Sequence, residues 1–199
     1  MSARKRIANF SFFLHTFRMK TRSVFENISP VDHRYSISEK DVYDKLARCI
    51  SEEAAVRSCA KAEAALVKAH FAVRGALTSE IEQAIDAAAN TVDPEEVYAE
   101  EEKTQHNIRA LVNVMKRTVP SEIAPFVHLG ATSVDILDTA LALRMRDVMQ
   151  NVTVPELKAL ERALCDIALR DAETPQVGRT HGQHAVPITF GWTIAEFVS

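Results

Sequence analysis

Apolar residues recur along this chain at steps of three and four, and from residue 41 onward the pattern is nearly continuous. Between Asp41 and Arg74, the positions Val42, Leu46, Cys49, Ile50, Val56, Cys59, Leu66 and Val67 fall at mixed three- and four-residue steps. The stretch is rich in alanine, a strong helix former small enough to let helices pack closely. Ser79, with Glu82 three residues later, forms a capping-box pattern that opens the helix IEQAIDAAAN. Asp93, Pro94, Glu95 and Glu96 give the next helix an N-cap, a first-position proline and first-turn acids. Thr132 or Ser133 is placed to cap DILDTALALRMRDVM, whose Ile136, Ala140 and Leu143 form its apolar stripe. Pro155 opens a further helix in which Leu157, Leu160, Leu164 and Ile167 step by three or four. No alternating pattern of useful strand length interrupts the series. The predicted class is all-α.

Two prolines break the helical pattern between Val119 and Pro125. They divide the chain into a basic extension at 1–23, expected to be disordered, a helical domain at 24–122 and the start of a long-helix bundle at 123–199. From Phe190 the chain reads as the first turns of an apolar helix with Trp192, Ile194, Ala195 and Phe197 to bury. No cap or polar tail closes that helix.

Composition narrows the picture. Of 199 residues, 47% are hydrophobic and 26% charged, as in soluble globular proteins, and only five are glycine and seven proline. No apolar run approaches the roughly 18 to 20 residues a membrane helix needs. Cys49, Cys59 and Cys165 lack metal-type spacing and read as small core residues in a reducing compartment. Net charge is −3, unevenly spread: the first 22 residues hold Arg4, Lys5, Arg6, Arg18, Lys20 and Arg22 and no acid. Such a segment has transit-peptide character. The preferred reading is that the segment precedes the true start, at Met19, which would leave the preceding residues outside the protein proper. A nucleic-acid arm is the third reading, and no basic motif in the folded part supports it.

Candidate chemistry concentrates in GRTHGQHAVPITFG, Gly178 to Gly191. Three of the five glycines fall here and a fourth, Gly130, lies in GATSVD. Glycine allows tight turns and close approach of backbone to a ligand, and histidine exchanges protons near neutral pH. The same residues also suit a helix-connecting loop with two solvated histidines. His181-x-x-His184 has metal-like spacing, but no third ligand, HExxH pattern or CxxC pair accompanies it, so neither metal nor cofactor is expected.

GRTHGQHAVPITFG resembles a signature segment of the fumarase/aspartase superfamily, and within it the adenylosuccinate lyases. EEKTQHNIRAL around His106, GATSVDILDTA from Gly130 to Ala140 and the early pair Arg34-Tyr35 match the same family in the same order. The resemblance covers roughly residues 24 to 199 and, since the family's proteins are longer, implies that this chain is a portion cut inside their central bundle. It implies β-elimination of a C–N bond with release of fumarate, from adenylosuccinate and from the analogous succinyl-carboxamide purine intermediate. It assigns His181 as the general acid that protonates the departing nitrogen, or else as an orienting hydrogen-bonder. It assigns Arg34, Tyr35, Gln105, His106, Asn107, Thr132, Ser133 and Thr180 to substrate binding. Asn107 stands where many relatives have Asp.

Arg34-Tyr35 would meet the nucleotide phosphate, and Thr132-Ser133 would offer hydroxyls and a helix N-terminus to an anion. The resemblance further implies a cytoplasmic homotetramer with no nucleic-acid or membrane partner, and sites assembled from several subunits. Its catalytic base sits on a serine-bearing loop of SSxMPxKxNP type, absent from these 199 residues. The chain by itself is therefore expected to be inactive. Argininosuccinate lyase, a carboxymuconate cycloisomerase and a catalytically inactive helical interaction protein remain as alternatives.

Overall fold

In the computed structural model, residues 23–29 and 36–198 are described. The regular elements are a 3₁₀ turn at Val24–Glu26 and eight α-helices: α1 (Lys40–Ile50), α2 (Glu52–Val73), α3 (Ser79–Asn90), α4 (Pro94–Thr104), α5 (Asn107–Thr118), α6 (Ser133–Val148), α7 (Val154–Arg170) and α8 (Phe190–Ala195). A second 3₁₀ turn spans Ala124–Phe126, and an antiparallel hairpin pairs β1 (Pro175–Thr180) with β2 (Gln183–Thr189). The described residues form a helical assembly with one small hairpin.

The run expected between Asp41 and Arg74 is two helices. Ser51 adopts extended backbone at φ −67°, ψ 170°, and its hydroxyl caps α2 by accepting from the Ala54 N–H at 3.2 Å. Serine competes with the helical backbone for hydrogen bonds and so favours such a break over a helix interior. The cap of α3 falls one residue earlier than the Ser79–Glu82 pattern suggests. Thr78 supplies the oxygen, accepting from Ile81 N–H at 3.3 Å. Asp93 caps α4 with Pro94 in the first turn, as its sequence implies. Thr132 caps α6, and its own N–H donates to Asp135 Oδ2 at 2.9 Å.

Helix α2 is the spine of the core. Val67 and Ala60 are buried on it, and around them pack Ile85 and Ala88 of α3, Val97 of α4, and Ile108, Val112 and Met115 of α5. Ile136 and Ala140 bring α6 into the same cluster. Arg144 of α6 donates to the Cys49 carbonyl at 3.0 Å and the Ile50 carbonyl at 2.9 Å, satisfying orphan acceptors at the end of α1. Burial raises the Cys59 thiol to a pKa of about 11, which keeps it an inert core residue.

Pro155 lies in the first turn of α7, as its sequence implies, but the helical backbone runs on from α6 without a break. A π-helical turn at Met149–Thr153 joins α6 to α7, with right-handed helical backbone on both sides. Proline removes one i→i−4 hydrogen bond and crowds the preceding turn, and the wider π turn accommodates both. Residues 133–170 thus form one rod roughly 57 Å long at about 1.5 Å per residue. On its α7 half no residue is buried. Leu157 and Leu160, two of the four residues in its apolar stripe, remain exposed.

Candidate functional site

The Gly178–Gly191 segment is not an irregular loop. It forms the hairpin, with Thr180 paired to Gln183 across a two-residue turn. The turn residues are His181 at φ +52° and Gly182 at φ +73°. Positive φ at both central positions marks a type I′ turn, whose twist matches that of the flanking strands. Histidine is one of the few side chains enriched in left-handed backbone, and glycine adopts it without cost.

Alternation was hidden from the pattern because the strands carry polar residues on both faces and a proline, Pro187. Between Val177 and Arg179 the register shifts, so that Gly178 lies against Val186. A Cβ on Gly178 would stand 2.5 Å from the Val186 carbonyl oxygen, a contact only glycine avoids. The consequence is an imidazole at the apex of a stiff projection. Thr180, His181, Gln183 and His184 are all exposed there.

Gln105, His106 and Asn107 form the joint between α4 and α5. Gln105 ends α4 in left-handed conformation at φ +53° and donates through Nε2 to the Glu102 carbonyl at 2.8 Å. His106 caps α5, with Nδ1 accepting from the Arg109 N–H at 3.3 Å. That bond sets the tautomer: Nδ1 carries the lone pair and Nε2 the proton, directed away from the helix start. Beside the joint, a cleft of about 440 Å³ is lined by Glu52, Tyr98, Glu101, Glu102, Gln105 and Asn107. Three carboxylates make it a poor host for an anion. Burial and a hydrogen bond to Glu52 push the Tyr98 hydroxyl well above its ordinary pKa, so it stays protonated.

Thr132 and Ser133 stand at the N-terminus of α6, where orphan N–H groups and the helix dipole favour negative charge. The loop leading to them holds a residue that pattern reading passed over. His128 has φ +64° and directs Nδ1 at Glu63 Oε1, 2.6 Å away in the core. Its available signal was a lone acid, Glu63, in the apolar frame Val56, Ala60, Glu63, Val67.

Arg34 and Tyr35 lie outside the described residues. Among the rest, His106 and Thr132 belong to the packed helical body, because α5 and α6 contact one another and share its core. His181 stands apart. The hairpin contacts chiefly itself and α8, and no substantial packing joins it to α5 or α6. No group of three or more His, Cys, Asp or Glu side chains among the described residues is arranged to hold a metal ion. No helix among them is long and apolar enough to cross a membrane.

The family described as Lyase matches residues 27–199. Adenylosuccinate lyase of Archaeoglobus fulgidus is 36% identical over 168 residues, which are 84% of this chain and 35% of that protein. A fumarate lyase structure from Mesorhizobium sp. BNC1 superposes with a TM-score of 0.67 at 32% identity, covering 78% of this chain and 36% of the other. The 3-carboxy-cis,cis-muconate lactonizing enzyme of Pseudomonas putida superposes with a TM-score of 0.66 at 32% identity, covering 77% and 36%. The chain thus spans about a third of the length of the relatives it matches.

Proposed function

This chain belongs to the lyase family of the fumarase/aspartase superfamily, and from that premise we propose that the whole protein carrying it cleaves adenylosuccinate to AMP and fumarate. The reaction is a β-elimination. A base removes the proton next to a succinyl carboxylate, the C–N bond breaks, and an acid protonates the departing nitrogen. His181 is the acid. The observation that carries this assignment is its position at the apex of the I′ turn. There the strand pairing fixes the backbone that carries the imidazole and leaves the ring open to a substrate held elsewhere.

Thr180, Thr132, Ser133, Gln105, His106, Asn107, Arg34 and Tyr35 bind substrate. Thr132 and Ser133 receive a carboxylate or phosphate at the start of α6. His106 offers Nε2–H to an acceptor. Since the hairpin packs chiefly on itself and α8 rather than on α5 or α6, we assign the complete site to a homotetramer in which different subunits supply these groups. The catalytic base comes from outside residues 1–199. The HGQHA wording after Thr180 and the Archaeoglobus relative support adenylosuccinate.

A second reading is favoured by the Pseudomonas structure: a cycloisomerase acting on a carboxymuconate. One measurement decides between them. The purified whole protein is incubated with adenylosuccinate and, separately, with a carboxymuconate, and the products are followed by chromatography. Fumarate and AMP are expected. Lactone formation without fumarate would move the assignment to the second reading, and neither product would overturn both.

A further inference from the structure

The segment entering α6 is held by α2 at two successive residues. Glu63 has 0% of its surface exposed, yet its Oε1 lies 2.6 Å from His128 Nδ1. Two helical turns further on, His70 Nε2 donates to the Leu129 carbonyl at 2.8 Å, and Arg74 donates to His70 Nδ1 at 3.4 Å. A spacing of seven residues places Glu63 and His70 on one face of α2. Phe126, at the head of the segment, packs on Phe71 with ring centroids 4.7 Å apart.

Stability alone does not account for a carboxyl at this depth. Its Oε2 has no hydrogen-bond partner, and an apolar side chain of the same size would spare that desolvation. Burial pushes its pKa up, while the ring and backbone N–H of His128, and the charge of Lys116, favour the carboxylate. What the pair secures is local. His128 holds a left-handed backbone at φ +64°, uncommon for residues other than glycine, and the bond to Glu63 fixes its ring in that setting. With Nδ1–H donated inward, Nε2 on the far side of the ring is the nitrogen left to meet a ligand.

We propose that Glu63 is a positioning residue for substrate binding: from inside the core it fixes the His128 ring, and through it the loop His128–Ser133 that presents Nε2, Thr132 and Ser133 to substrate. The inference rests on the lyase reading for its substrate, while the clamp itself is observable without turnover. Glu63→Met removes the hydrogen bond at similar size, and Glu63→Gln keeps an acceptor oxygen.

The whole protein is assayed for fumarate release and, separately, for amide hydrogen exchange across residues 127–133. In Glu63→Met, kcat/KM is expected to fall at least about 10-fold, chiefly through KM, with the melting temperature unchanged or higher. The loop amides are expected to exchange at least about 10-fold faster. Glu63→Gln should recover most of both. In a His128→Asn background, where asparagine tolerates the positive φ, adding Glu63→Met should cost nothing further. A folded Glu63→Met with wild-type KM and loop exchange, or a loss that adds to that of His128→Asn, overturns the proposal. Should Glu63→Met not fold, His128→Asn carries the exchange test, and an unchanged loop overturns the proposal equally. Loop loosening in a protein that releases no fumarate supports the clamp and tells against the lyase reading instead.

Discussion

Helices α5 and α7 have the same kind of sequence and opposite fates. Both are amphipathic, with apolar residues at steps of three and four. In α5, Ile108, Leu111, Val112, Val114 and Met115 are all buried, against α2, α3 and α4. In α7 none is, although Leu157, Leu160, Leu164 and Ile167 repeat as regularly. Periodicity announces that a face seeks cover and is silent about what provides it. The same division separates the candidate site residues. His106 and Thr132 ride on the packed body, while His181 projects from the sparsely packed end.

Truncation in the core tests the contrast most severely. Met115→Ala should lower unfolding free energy by about 2–5 kcal/mol, whereas Leu160→Ala should change it by less than about 0.5 kcal/mol. Denaturant titration of both variants measures the difference. A large loss at Leu160 would mean that α7 is covered in solution, and the contrast would then belong to this chain alone.

Chemistry should show the reverse asymmetry. His181→Gln is expected to lower turnover at least about 10²-fold, worth about 2.7 kcal/mol, with the melting temperature nearly unchanged. His184→Gln, on the same hairpin, should cost much less. The acid assignment fails if His184→Gln proves the more damaging at equal stability.

Arg144 ties the two regions, since it lies on the rod and closes the end of α1. Arg144→Met leaves two carbonyls without their donor and should cost about 1–3 kcal/mol. A change below about 0.5 kcal/mol would show that water replaces the guanidinium there.

The smallest expected effect is a slope. The Glu63 pKa is raised by burial above its ordinary 4.5, so the folded protein binds more protons than the unfolded chain just above that pH. Its contribution is therefore most favourable below pH 4.5 and declines as pH rises through the raised folded value. Relative to Glu63→Gln, the wild type should lose stability across that window. Parallel stability–pH curves for the two proteins would show instead that His128 and Lys116 fully offset the burial.

Much of the helical body was legible because its signals are local. Asp93-Pro94-Glu95-Glu96 marks a helix start by its own hydrogen bonds, and Ile136 and Ala140 mark a face by spacing alone. The hairpin was not legible, because neither strand alternates and its turn uses His-Gly where Asn-Gly would have announced it. The break at Ser51 was missed for a related reason: a serine inside a helical pattern is ambiguous until its hydroxyl is seen to cap. At the site, His181 and His106 stood out only through the surrounding wording. His128 and Glu63 had no wording at all. Their partnership links residues 65 apart in sequence, a distance at which no local pattern operates.

The positive φ at position 181 also shapes what substitution there can reveal. The backbone filters the replacement before the chemistry does. A β-branched side chain would strain the turn and displace the whole apex, so its loss of activity would report on geometry rather than on proton transfer. Asparagine, at home in an I′ turn, keeps the hairpin and removes the imidazole. Any survey of replacements at this position has two separable axes, tolerance of the turn and possession of an exchangeable proton, and histidine is the residue that satisfies both.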